Sequence, residues 1–76
     1  MHKSEIERRI VLAVRSIRVK NKNTQRDLAS LLGVSPGYIG QVESENNRSM
    51  YSYDQLNALA KHFGCSLKDF MPEEPV

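Results

Sequence analysis

Thr24-Gln25-Arg26-Asp27-Leu28-Ala29-Ser30-Leu31-Leu32-Gly33-Val34-Ser35-Pro36-Gly37-Tyr38-Ile39-Gly40-Gln41-Val42-Glu43 carries two helix signals with only Gly33-Val34-Ser35 between them. The first helix, Gln25 to Leu32, opens on a threonine that can cap it and offers Leu28, Ala29, Leu31 and Leu32 for burial. The second, Pro36 to Glu43, opens on Ser35 as cap, with proline at the first helical position, where a missing N–H costs nothing. Three residues cannot fold one helix back along the other, so the two must meet at a sharp angle. Gly33 supplies the positive φ that ends the first helix. Ala29 stands at the crossing, where a larger side chain would push the helices apart, and Val34 plugs the turn. Ile39 and Val42 face inward, which leaves Gly37, Tyr38, Gly40, Gln41 and Ser44 on a face with no core to cover.

The same start signal recurs on both sides. Ser4 precedes Glu7, Thr24 precedes Asp27, Ser52 precedes Gln55 and Ser66 precedes Asp69, each by three residues. That is the reciprocal capping-box spacing, which satisfies otherwise orphaned N–H groups of a first turn. Flanking helices are therefore expected from Glu5 to Lys20, from Tyr53 to Phe63 and, for one or two turns, from Leu67 to Met71, with Gly64 and Pro72 as stops. Ile6, Ile10, Ala13, Val14 and Ile17 recur at helical spacing on the first of these, and Leu56, Leu59, Ala60 and Phe63 on the second. Nothing reads as a strand. The expectation is an all-α, five-helix domain spanning residues 1–76, with its core in about 5–71.

Seventy-six residues is at most one domain and buries only about 60% of its unfolded surface, so the helices must pack efficiently. The longest apolar run, Ile10 to Val14, is far short of the ~20 residues of a membrane span, and the N-terminus has no secretory apolar segment. A cytoplasmic protein without membrane association is expected. Cys65 is alone and reads as a small hydrophobe at a helix junction. His2 and His62 are too far apart and too poorly accompanied for a metal site. The net charge is only +2, but its distribution is uneven. Arg8, Arg9, Arg15, Arg18, Lys20, Lys22 and Arg26 run without an intervening acid, as either a solvated helix face or a surface for a polyanion. No nucleophile–base pair, phosphate loop or carboxylate pair is present, so neither an enzyme nor a cofactor is expected.

Residues 24–43 resemble the helix-turn-helix of the lambda-type phage repressor and Cro proteins, the xenobiotic-response-element-like regulators. Gln25, Ala29, Gly33, Ile39, Val42 and Glu43 fall at matching offsets, and Ile17-Arg18, Ser52, Leu56, Leu59-Ala60, Phe63-Gly64-Cys65-Ser66 and Phe70 extend the likeness over about residues 6–71. The resemblance implies a lambda-repressor-like fold whose third helix lies in the major groove of double-stranded DNA. It implies phosphate contacts from Thr24, Gln25, Arg26 and the N–H groups near Ser35, with base reading by Gln41, which can bind adenine N6 and N7 together. Tyr38 would lie against the backbone or a thymine methyl, and Gly37 and Ser44 share the outer face. Asn46, Asn47 and Arg48 are balanced between a polar loop and a phosphate-binding one. Arg18 and Glu43 match a pair that joins the first and third helices in related repressors.

Three departures from the family stand out. Gly37 occupies a position where many relatives carry a base-reading side chain. Glu45-Asn46-Asn47 replaces the usual glycine after the third helix, in a loop about two residues longer than the common form. Lys22-Asn23 replaces a commonly glycine-hydrophobic pair. The function implied is a sequence-specific transcriptional regulator, a repressor acting as a homodimer on a two-fold-symmetric operator, with Met50, Tyr51, Leu67 and Phe70 as apolar candidates for the dimer surface. The alternative is an antitoxin or protein-interaction module that uses the same fold to bind a toxin or a polymerase partner.

Overall fold

The computed structural model describes residues 2–76. It contains α1 (Glu5–Lys20), α2 (Gln25–Leu32), α3 (Pro36–Glu43), α4 (Tyr53–Phe63) and a short 3-10 turn, Leu67–Phe70. Among the described residues there is no strand, and no helix is long and apolar enough to cross a membrane.

Every start signal is used. Ser4, Thr24, Ser52 and Ser66 each form a complete capping box, and Ser35 accepts the N–H of Tyr38 ahead of Pro36. The stops follow equally local rules. Gly33 (φ 68°) and Gly64 (φ 67°) take the left-handed conformation that closes α2 and α4. Beyond Gly33 the Val34 N–H returns to the Ala29 carbonyl at 3.0 Å.

The fifth element is not an α-helix. Met71 precedes Pro72, and a residue before proline is driven out of the helical region; Met71 sits at φ −106°, ψ 144°. With Ser66 as its cap and Met71 extended ahead of Pro72, only four residues remain for the turn. Its purpose is packing, because Phe70 is fully buried, which is worth about 2–3 kcal/mol for a side chain of that size.

The core gathers Ile10, Val11 and Val14 from α1, Leu28 and Ala29 from α2, Ile39 and Val42 from α3, and Leu56, Leu59 and Ala60 from α4, with Tyr51 and Phe70. The buried face of α1 is rotated from the expected one: Val11 is enclosed, and Ile6 is 39% exposed on the wall of a groove it shares with Ile10 and Leu56. Tyr51 and Phe70 are 4% and 0% exposed, so neither is available for the dimer surface expected of them. Cys65 packs against the core, and burial pushes its thiol pKa up.

Candidate nucleic-acid interface

Glu43, the last residue of α3, organises the site. Its side chain is 4% exposed and is held from two helices. Arg18 of α1 donates from Nε to Oε2 at 2.8 Å and from Nη2 to Oε1 at 3.0 Å, while its Nη1 donates to the Asn23 carbonyl at 2.8 Å. Gln25 at the start of α2 donates from Nε2 to Oε1 at 3.0 Å. A carboxylate can only accept, so the amide nitrogen of Gln25 must face Glu43, and one of its two hydrogens stays free. The Gln25 Oε1 lies 3.6 Å from where a Cβ on Gly40 would stand, so the side chain is laid across the middle of α3.

This network fixes the outer surface. Gly37 and Gln41 are exposed on α3; Thr24 and Arg26 are exposed at the start of α2, and Ser35 at the start of α3. Thr24 and Ser35 spend their side-chain oxygens as helix caps, accepting the N–H groups of Asp27 and Tyr38. Tyr38 is half-buried, and its hydroxyl donates to the Met50 carbonyl, tying α3 to the following loop; its ring, not its hydroxyl, is what it can offer outward.

The loop after α3 is internally bonded. The half-buried Asn47 accepts the Ser49 N–H at 2.8 Å, Ser44 is the half-buried C-cap of α3, and Asn46 and Arg48 are exposed. Sequence reasoning missed Lys3, whose Nζ donates to the Ser44 carbonyl at 2.7 Å and to that of Asn47. No local pattern could have found it, since the partners lie more than forty residues away.

The basic run divides in two. Arg8 and Arg9 pair with Glu5, Arg8 also approaches Glu45 at 3.7 Å, and Arg15 and Arg18 face Glu43. Acids from outside the run thus occupy its first half. Lys20, Lys22 and Arg26 are exposed and, among the described residues, enter no ion pair. Lys22 takes φ 59°, the left-handed region that favours glycine. Among the described residues no three metal-ligating side chains cluster.

Comparison with solved structures gives three useful likenesses. The clp gene regulator ClgR from C. glutamicum superimposes with a TM-score of 0.69 at 29% identity, over 88% of this chain and 86% of that one. The hydroxypropylphosphonic acid epoxidase from S. wedmorenis, in complex with fosfomycin, gives 0.75 at 23% identity over 91% of this chain. A cobalt form of HppE with substrate gives 0.74 at 24% identity over 88%. The chain spans only 36% of the length of these last two, so they share its fold alone. No curated protein matches the sequence. The helix-turn-helix family matches residues 14–70, a stretch that holds α2, the Gly33 turn, α3 and the Arg18–Glu43 pair. The chain therefore belongs to the lambda repressor/Cro-like helix-turn-helix family.

Proposed function

We propose that this chain is a sequence-specific DNA-binding transcriptional regulator, a repressor and not an enzyme, that inserts α3 into the major groove of a two-fold-symmetric operator. The observation that carries the reading is the Glu43 hub. It holds the Gln25 amide over Gly40, beside an α3 face on which the exposed Gln41 side chain makes no hydrogen bond among the described residues. The free amide hydrogen of Gln25, the cation of Arg26 and the uncapped first-turn N–H groups of Gln25, Arg26 and Gly37 suit phosphate oxygens. Gln41 suits an adenine edge. Asn46 and Arg48 would meet the backbone beyond.

One α3 reads few base pairs, so we assign the active form to a dimer with recognition helices about 34 Å apart on one face of the duplex. With Tyr51 and Phe70 enclosed, Met50 and Leu67 remain of the expected dimer surface, and we add to them the exposed Ile6, Tyr53 and Met71. These last three line a groove of about 470 Å³ whose walls include Ile10 and Leu56. Selection of bound sequences from a random DNA pool, followed by stoichiometry on the selected site, tests the reading. A short palindrome bound by two chains is expected. No enrichment of any sequence would end the DNA reading, and one chain on an asymmetric site would end the dimer. Capture of the groove by a toxin-like partner, with no DNA bound, would favour the protein-interaction alternative.

A further inference from the structure

α2 and α4 both close on a left-handed glycine, but α3 does not. Its C-cap, Ser44, is extended at φ −84°, ψ 129°. In place of a glycine turn, the Gln41 carbonyl takes the Ser44 N–H at 3.2 Å and the Ser44 carbonyl takes the Asn47 N–H at 3.3 Å. A further donor arrives from the other end of the chain. Lys3 Nζ donates to the Ser44 carbonyl at 2.7 Å and to the Asn47 carbonyl, and lies 3.4 Å from the Gln41 carbonyl. An ammonium has three hydrogens and no acceptor, so these three carbonyls use it completely. Each bond is charge-assisted, and a cation at a helix C-terminus also answers the helix dipole.

Other contacts seat the same segment. Arg8 approaches Glu45, His2 Nδ1 lies 3.4 Å from the Glu45 carbonyl, and Tyr38 holds Met50. Arg15, Arg18 and Gln25 hold the Glu43 side chain, whereas Lys3 holds backbone carbonyls at and just beyond the helix end. Burial lowers the Lys3 pKa, opposed by the nearby Glu7 carboxylate.

We propose that Lys3 is a positioning residue for DNA recognition: its ammonium replaces the missing glycine cap and holds the end of α3 and residues 44–47 in the conformation that meets DNA. This rests on the DNA-binding reading above. Lys3 does not itself touch phosphate, because its hydrogens are spent inward. Its contribution is to order the loop before binding, so that the cost of ordering does not fall on the complex.

The experiment compares the wild type, Lys3→Met and Lys3→Arg on the operator selected from the random pool. Circular dichroism follows folding, and amide hydrogen exchange follows residues 44–49. Lys3→Met is expected to stay folded, to exchange faster at 44–49 and to bind about tenfold more weakly. Its dependence of affinity on salt should remain unchanged, and Lys3→Arg should recover part of the affinity. Wild-type affinity in Lys3→Met overturns the proposal. So does unchanged exchange at 44–49, or a salt slope shallower by about 0.9, which would mark Lys3 as a phosphate contact. Should Lys3→Met fail to fold, Lys3→Gln, neutral but still a donor, takes its place. Absence of DNA binding by the wild type overturns the positioning role together with the DNA reading, and is recognised because the exchange contrast persists without DNA.

Discussion

Arg18, in the last turn of α1, grips Glu43, the last residue of α3, through two parallel hydrogen bonds of 2.8 and 3.0 Å. Their side chains are 11% and 4% exposed, so the pair is nearly out of water. Removing one member of such a pair strands the other charge, which costs about 3–5 kcal/mol, whereas apolar replacement of both is often neutral. Glu43→Ala should therefore lower the melting temperature by roughly 15 °C or more. Arg18→Met with Glu43→Leu should regain most of that loss. The double variant should still bind DNA poorly, because Gln25 has lost its anchor. Thermal unfolding read beside operator binding separates the two effects; a double variant that binds as well as wild type would show that the Glu43 hub serves stability alone.

Lys22 carries a side chain at φ 59° just beyond α1. A non-glycine residue in this region costs about 1–2 kcal/mol. Lys22→Gly should stabilise the fold by about 1 kcal/mol, less what glycine adds to unfolded-state entropy. If Lys22 also meets a phosphate, the same variant will bind DNA more weakly while melting at a higher temperature. A lower melting temperature would mean that the lysine side chain has a packing role.

The capping boxes make stability depend on acid. The Ser4 N–H and hydroxyl hold Glu7 below the usual glutamate range, and the Thr24 N–H and hydroxyl do the same for Asp27. A carboxylate whose folded pKa is depressed contributes fully above its unfolded pKa, and that contribution is lost as pH falls through the folded value. The melting temperature should be flat from neutral pH to about 5 and should fall below about 4. Glu7→Gln with Asp27→Asn, which removes the titrating carboxyls but keeps an acceptor for the Ser4 and Thr24 N–H groups, should lose less on acidification. Equal acid sensitivity in both proteins would place the effect elsewhere.

Such boxes were legible in the sequence because donor and acceptor sit three residues apart, and the Gly33 turn was legible because it needs one residue of a special kind. The Arg18–Glu43 contact followed only from family resemblance, since twenty-five residues separate its partners. Lys3 was invisible for the same reason and had no resemblance to help it. For Tyr38, helical periodicity gives the side of the helix but not where a long side chain ends, and the hydroxyl turns to Met50. The exposure of Ile6 depends on the groove it borders with Tyr53 and Met71, which lie far away in sequence.

Salt and base preference test the interface itself. Affinity should fall with salt by a slope of about −0.9 per phosphate neutralised. Arg26→Ala should weaken binding to every sequence alike and make the slope shallower by about one contact. Gln41→Ala should leave the slope unchanged and relax the preference at one symmetric pair of positions. Equal slopes for wild type and Arg26→Ala would remove Arg26 from the phosphate set.

Gly37 offers the most direct test of which end of α3 enters the groove. It is exposed in the first turn, and a Cβ built there would meet only the Ser35 Oγ at 3.8 Å, an ordinary contact. A Cβ can therefore be added without moving anything. Glycine inside a helix costs roughly 0.5–1 kcal/mol relative to alanine, so Gly37→Ala should raise stability by up to that amount. Gly37→Gln should do more than stabilise. In the groove, its amide can bind an adenine edge and add about 1–3 kcal/mol of discrimination at a base pair the wild type reads weakly. Sequence selection with this variant should then return one newly specified position in each half-site, on the side away from the position read by Gln41. An unchanged consensus, from a variant that folds and binds, would mean that the first turn of α3 stays clear of the bases.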